Sequence, residues 1–195
     1  MINQIVHEKQ LLRQEMRQQR LRVHQAVNQN YIASQLIKHF FSLDLLGKGS
    51  VVSGYWACGS EISVLPLMQE IYLCGYSVAL PVVNVPGDPL IFRYWQPGLP
   101  LQQDCMGIPC PGNEQPALSP TILLVPTLAF DITGARLGQG MGFYDKIIHQ
   151  LRLKQTITAI GIAYEVQKVN RIPVSAEDEK LDYIITEKEA YRVPC

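Results

Sequence analysis

The chain has 195 residues, with Lys+Arg and Asp+Glu balanced at 17 each, so its formal net charge is zero. That length can enclose one substantial apolar core and predicts a single domain over residues 1–195. The charge balance excludes a general binder of nucleic acid or acidic membrane, which needs a basic face, but allows a small anion held by a few local cations. The cysteines Cys58, Cys74, Cys105, Cys110 and Cys195 form no C-x-x-C pair and have no histidine at zinc-ligand spacing. They read as reduced thiols, with Cys58 and Cys74 as small core residues. The N-terminal stretch carries Arg13, Arg17, Arg20 and Arg22 without an apolar signal core, and no apolar run reaches membrane-spanning length. A cytoplasmic monomer is expected.

Residues 5–28 lack Gly and Pro and are rich in Gln, Arg and Leu, which predicts a long first helix. A second helix is predicted over 31–41, with Ile32, Leu36, Ile37 and Phe40 on one stripe and Gly47 and Gly49 beyond its end. Residues 51–56 read as a buried strand. Ser63 is the expected N-cap of a third helix through Leu67, Met68, Ile71 and Tyr72, and Gly75 is its stop. Strands follow over 77–83 and 90–95, separated by a turn over 84–89. Residues 96–119 hold several prolines and glycines and read as an irregular surface excursion. Residues 121–125 form the clearest central strand, ended by Pro126. A glycine-rich loop, a helix over 143–153, a strand over 156–163 and a short strand over 183–186 complete the chain. This alternation predicts an α/β fold, a three-layer α/β/α arrangement around an open, mostly parallel sheet. In such sheets ligands bind beyond the carboxyl ends of the strands.

The run from Arg136 through Leu137, Gly138, Gln139, Gly140, Met141, Gly142, Phe143 and Tyr144 to Asp145 places a glycine at every second position ahead of a helix. Glycine accepts positive φ, so backbone N–H groups can line a concave loop, and the helix start adds free N–H groups and a positive dipole end. The spacing matches neither the dinucleotide fingerprint nor the P-loop, and as a glycine pattern alone it fits an anion cradle and a plain turn equally. Asp145 in the first helical turn repels a bare phosphate but can share Mg2+ with one. Asp182, just before the last strand, is a second candidate carboxylate, although an exposed acidic cap is its plainer reading.

Lys9 and Arg13 stand four apart on the first helix and share a face that could clamp a polyphosphate. A solvated basic face, with Arg17 and Arg20, is the plainer alternative. Trp56 and Glu61 bracket the loop leaving the first strand. An aromatic wall beside a carboxylate suits a flat heterocycle with N–H donors, whereas a packed tryptophan and a helix-start glutamate would explain the same residues without a ligand. The histidines His7, His24, His39 and His149 are dispersed on helices and support no nucleophile–base arrangement.

The segment 125–131, continuing through 134–145, resembles the signature of the 5-formyltetrahydrofolate cyclo-ligase family, also called 5,10-methenyltetrahydrofolate synthetases. Weaker matches follow in order: Lys9 to Arg13, Glu61, Leu80-Pro81, Gly107-Ile108-Pro109, residues 161–164 and residues 178–186. The resemblance implies an ATP- and Mg2+-dependent conversion of 5-formyltetrahydrofolate, with or without a polyglutamate tail, to 5,10-methenyltetrahydrofolate with release of ADP and phosphate. In that chemistry ATP phosphorylates the formyl oxygen and N10 closes the ring. It implies ATP contacts at Lys9, Arg13 and Arg136 to Tyr144, folate contacts at Trp56, Glu61 and Tyr144, Mg2+ at Asp145 and Asp182, and catalytic roles for Tyr144 and Glu61. Met141 departs from the Gly or Lys common at its position, Phe143 from a common Tyr, and Trp56 is bulkier than usual. The alternatives are a phosphosugar isomerase- or CoA-transferase-like protein without ATP use, and a folate-binding protein without catalysis.

Overall fold

The computed structural model describes residues 2–85 and 88–194; part of the turn expected over 84–89, and Cys195, lie outside them. In chain order its elements are the helices α1 (Ile2–Ala26) and α2 (Gln29–Ser42), strand β1 (Val51–Ser53), helix α3 (Leu65–Leu73), and strands β2 (Ser77–Val82), β3 (Ile91–Trp95), β4 (Leu101–Gln103), β5 (Pro109–Pro111) and β6 (Ala117–Leu118). Strands β7 (Ile122–Pro126), β8 (Ala129–Phe130) and β9 (Arg136–Leu137) lead to helix α4 (Phe143–Arg152). Strands β10 (Thr158–Ile162), β11 (Tyr183–Ile185) and β12 (Ala190–Arg192) close the chain, with a 3-10 turn at Glu165–Gln167 between β10 and β11.

The main sheet runs in the order β12-β11-β10-β7-β1-β2-β3-β6. Strands β2, β1, β7, β10 and β11 are mutually parallel; β12 and β3 flank them antiparallel, and β6 pairs antiparallel with β3 at the edge. Parallel strands buried on both faces are apolar throughout, as Ile122-Leu123-Leu124-Val125 illustrates. The alternation of side chains along β7 assigns each residue to a face. Ile122 and Leu124 pack with Ile32, Leu36 and Phe40 of α2 and Leu67, Met68 and Ile71 of α3. Leu123 and Val125 pack with Ile147, Ile148 and Leu151 of α4. This is the three-layer α/β/α arrangement the sequence predicts. Helix α1 lies against the β8–β9 hairpin through Met16, Leu128, Ala129 and Leu137.

The chain leaves β1 on one side to form β2 and returns on the other side as β7, so strand order reverses at β1. A crevice opens beyond the carboxyl ends of two parallel strands at such a reversal. The segment after β1 carries Trp56 and Glu61, and the segment after β7 leads to the glycine loop.

Several expectations need correction. The β1 strand ends at Ser53 rather than 56. Ser63 does not cap α3: Val64 occupies the N-cap, and the Ser63 hydroxyl only accepts from Leu65 N–H at 3.4 Å. Residues 96–119 are not wholly irregular, because they contain the β4–β5 hairpin and β6 at the sheet edge. Strands β8, β9 and β12 were not expected. Cys58 and Cys74 are exposed, and among the described residues Cys110 on β5 is the buried thiol. Gly75 does follow the end of α3, at φ +87°.

Candidate active site

A cleft of about 1010 Å³ opens at the strand-order reversal. Its walls include Lys9, Arg13, Trp56, Glu61 and every residue from Arg136 to Asp145. Three separate stretches of sequence thus converge on one space.

The glycine loop sits against α1. Arg13 Nε donates to the Gly138 carbonyl at 2.9 Å, and Arg17 donates from Nε to the Gln139 side-chain oxygen at 3.1 Å and from Nη2 to the Gln139 carbonyl at 3.4 Å. Gly140 adopts φ +109° and Gly142 φ +70°, backbone conformations that favour glycine. Gly142 is also the N-cap of α4 and offers no side chain to the first-turn N–H groups. The N–H groups of Phe143, Tyr144 and Asp145 therefore remain for an anion, at the positive end of the helix.

Around this loop the side chains are charged and mostly paired. Lys9 is bonded to Asp178, whose carboxylate also accepts from Ser175 N–H at 2.6 Å. Burial works to raise the Asp178 pKa, but the Lys9 and Ser175 hydrogen bonds outweigh it and hold the carboxyl below its ordinary value. Burial, with the Arg17 charge next, lowers the pKa of Arg13. Arg136, only 7% exposed, donates from Nη2 to Asp145 Oδ1 at 2.8 Å, and Glu179 N–H binds the same oxygen at 3.1 Å. Arg136 Nε is buried without a hydrogen-bond partner.

Another part of the lining is less polar and includes Trp56, Pro81, Val83, Leu90 and Ile108. Glu61 also lines the cleft. Its carboxylate accepts from Cys58 N–H at 3.0 Å and from the Gln139 side chain at 3.3 Å, and lies 3.5 Å from Arg20 Nη1. Tyr144 lines the same cleft, where the charges of both Glu61 and Arg136 act on it. Its hydroxyl is buried without a partner, and burial, reinforced by the Glu61 charge, pushes its pKa well up. Such orphaned polar atoms are costly and point to a ligand that satisfies them.

Asp182 is not part of this assembly. It precedes β11 and therefore stands at the amino edge of the parallel strands, opposite the cleft. There its Oδ2 accepts from Ala159 N–H at 2.7 Å and from Arg152 Nη2 at 3.0 Å. The structure does not bring it to Asp145. Among the described residues no cluster of three or more His, Cys, Asp or Glu side chains could hold a metal ion.

Sequence reasoning missed Asp178 and Glu179 in the cleft wall and misread Arg20, which is 6% exposed rather than solvated. A signal existed for Arg20: Lys9, Arg13, Arg17 and Arg20 continue a single stripe at helical spacing, and that face meets the glycine loop. His149 lines the cleft margin and bonds Glu179 at 2.8 Å.

The chain is similar to known proteins along most of its length. It is 30% identical over 178 residues to the 5-formyltetrahydrofolate cyclo-ligase of Haemophilus influenzae, covering 89% of this chain and 94% of that protein. It is 28% identical over 145 residues to the enzyme of that name from Escherichia coli, covering 72% and 79% respectively. Its structure resembles that of Aquifex aeolicus 5,10-methenyltetrahydrofolate synthetase with a TM-score of 0.72 and 27% identity, over 94% of both chains. The Mycoplasma pneumoniae synthetase shares the fold, with a TM-score of 0.69 at 21% identity over 92% of this chain and 98% of that one. The model of the 5-formyltetrahydrofolate cyclo-ligase family matches residues 5–187, and the chain is an enzyme belonging to that family.

Proposed function

We propose that the chain uses ATP to convert 5-formyltetrahydrofolate to 5,10-methenyltetrahydrofolate, releasing ADP and phosphate. One observation carries this reading: a single cleft joins a cationic, amide-lined half to an apolar half with a carboxylate, and Tyr144, which lines it, has an unpartnered hydroxyl. The cationic half suits a triphosphate. The other half suits a flat heterocycle whose ring and amino N–H groups donate to Glu61 beside Trp56.

The formyl group is amide-like and a poor electrophile. Transfer of the γ-phosphoryl group to its oxygen makes that oxygen a leaving group; N10 then attacks the formyl carbon, and phosphate departs as the ring closes. The protein's task is positioning and charge neutralisation. In this reading Lys9, Arg13 and the amides of Gly138 to Tyr144 hold the phosphates, and Arg136 Nε meets a phosphate oxygen. Met141, 54% exposed, supplies no cation. The raised pKa keeps the Tyr144 hydroxyl protonated, so it serves as a hydrogen-bond donor toward the formyl oxygen rather than as a base.

A Mg2+ ion bound with ATP supplies charge neutralisation on the phosphates. Asp145 would hold it, and a single carboxylate beside a phosphate loop fits a cation that keeps water and phosphate oxygens in its shell. Asp182 is engaged elsewhere. The reading further takes residues 1–195 as one domain acting as a cytoplasmic monomer, with polyglutamylated folate accepted.

Methenyl-folate formation followed by absorbance, with and without ATP, tests the proposal. Product that depends on ATP supports it. Folate binding without turnover would indicate a binding protein, and product formed equally without ATP would overturn the mechanism.

A further inference from the structure

Arg20 lines no part of the cleft, yet the folded chain buries it. The residue is 6% exposed, and its guanidinium sits 3.5 Å from Glu61 Oε1 while Nε donates to Ser60 Oγ at 3.0 Å. Arginine does not give up its proton in a protein, so this charge is buried intact and requires an anion. Glu61 is the acidic partner in ion-pair range, and its own side chain is only 10% exposed. The pair also joins distant pieces of chain: Arg20 belongs to α1, while Glu61 belongs to the loop after β1.

The geometry points to Arg20 as the positioning residue for Glu61, and hence as a determinant of folate affinity through a group that the substrate does not touch. This rests on the proposed folate role of Glu61. The two contacts divide the work. Bonding to Ser60 fixes the guanidinium plane, and the fixed plane presents one nitrogen to one carboxylate oxygen. Cys58 N–H holds the other oxygen, Oε2, so the carboxylate is restrained from both ends. A carboxylate held in place before substrate arrives loses little freedom on binding, which favours affinity. Lysine keeps the charge but cannot reproduce a fork that spans Ser60 and Glu61.

The same helix provides an internal control. Lys9 and Arg13, which face the glycine loop, are also on α1, so a general disturbance of that helix would weaken nucleotide and folate together. A positioning role weakens folate alone.

The experiment measures dissociation constants for 5-formyltetrahydrofolate and for a non-hydrolysable ATP analogue by calorimetry in wild type, Arg20→Met, Arg20→Lys, Glu61→Gln and the double variant Arg20→Met/Glu61→Gln. Folate affinity should fall roughly tenfold or more in Arg20→Met and about threefold in Arg20→Lys, with analogue affinity within about twofold of wild type. The double variant should bind folate about as weakly as Glu61→Gln alone, because Arg20 acts through that carboxylate. If Arg20→Met does not fold, Arg20→Lys and the double variant, which removes both charges together, carry the test. Unchanged folate affinity in the variants, parallel loss of both ligands, or additive losses in the double variant would each overturn the inference while leaving the proposed function standing. Failure of the wild type to bind folate would instead sink the functional reading.

Discussion

Arg13 and Gly138 are joined by a hydrogen bond of 2.9 Å from the guanidinium Nε to the backbone carbonyl, which ties the first helix to a loop 125 residues away. A carbonyl turned toward the arginine leaves the loop N–H groups to face elsewhere. The contact thus shapes the proposed phosphate cradle and brings its cation in one step.

The central glycine of that cradle is sensitive through its backbone conformation. Gly140 has φ +109°, where an L side chain is strained; a Cβ there would meet the Arg13 guanidinium carbon only at ordinary contact, 3.5 Å. Gly140→Val should therefore weaken nucleotide binding at least tenfold, since a β-branched side chain in that backbone region is strained by about 1–3 kcal/mol. The loop is exposed at this point, so the circular dichroism spectrum should not change. Unaltered nucleotide affinity would mean that the loop does not hold the phosphates.

Tyr144→Phe separates stability from activity. The hydroxyl is buried and unpartnered, so its removal should leave stability within about 0.5 kcal/mol of wild type, or raise it. If that hydroxyl donates to the reacting formyl oxygen, kcat should fall at least about tenfold. Thermal denaturation and steady-state rates measure the two quantities. A destabilised variant with normal kcat would reassign the hydroxyl to structure.

Glu61→Gln should impair folate binding more than ATP binding. The amide keeps the size of the side chain but loses charge and presents N–H groups where the proposed ligand has its own donors. A loss of roughly tenfold or more in folate affinity is expected, in keeping with hydrogen bonds to a charged group. Equal losses for both ligands contradict the assignment.

Acid should loosen the junctions of the 175–179 segment with α1, through Lys9–Asp178, and with α4, through Arg152–Glu179. Asp178 and Glu179 both have folded-state pKa values below their ordinary 3.8 and 4.5. Groups lowered on folding contribute stability that is complete above the ordinary values and is lost as pH falls through the folded ones. Denaturant midpoints should accordingly hold near neutrality and fall below about pH 4.5. Asp178→Asn should cost about 1 kcal/mol near neutrality, the upper range for a partly exposed pair, and should show a smaller acid loss. An acid loss equal to that of wild type would remove the Lys9–Asp178 pair from the account.

What could be read in advance followed from locality. Helix α2 and strand β7 announce themselves because their apolar spacing records burial directly, and the glycine loop because its conformational demand is met within a few residues. Strands of two or three residues such as β8 and β9 carry no such record; they exist only because Ala129 pairs with Leu137 and Phe130 with Arg136. Cys58 and Cys74 were misplaced because apolar neighbours in sequence do not ensure an inward-facing side chain. Lys9 and Asp178 are 169 residues apart and Arg20 and Glu61 belong to different elements, so neither pair leaves a local trace. Asp182 was assigned from its closeness to the last strand. It adjoins the amino end of that strand, and in a parallel sheet the amino ends lie on the edge away from the ligand crevice.

A crystal structure with a non-hydrolysable ATP analogue and Mg2+ tests the central claim most directly. Phosphate oxygens are expected within hydrogen-bond distance of the N–H groups of Gly138 to Tyr144, with Arg13 and Arg136 Nε turned toward them. A triphosphate seated away from that loop, with the Arg136 Nε still unpartnered, would contradict that claim.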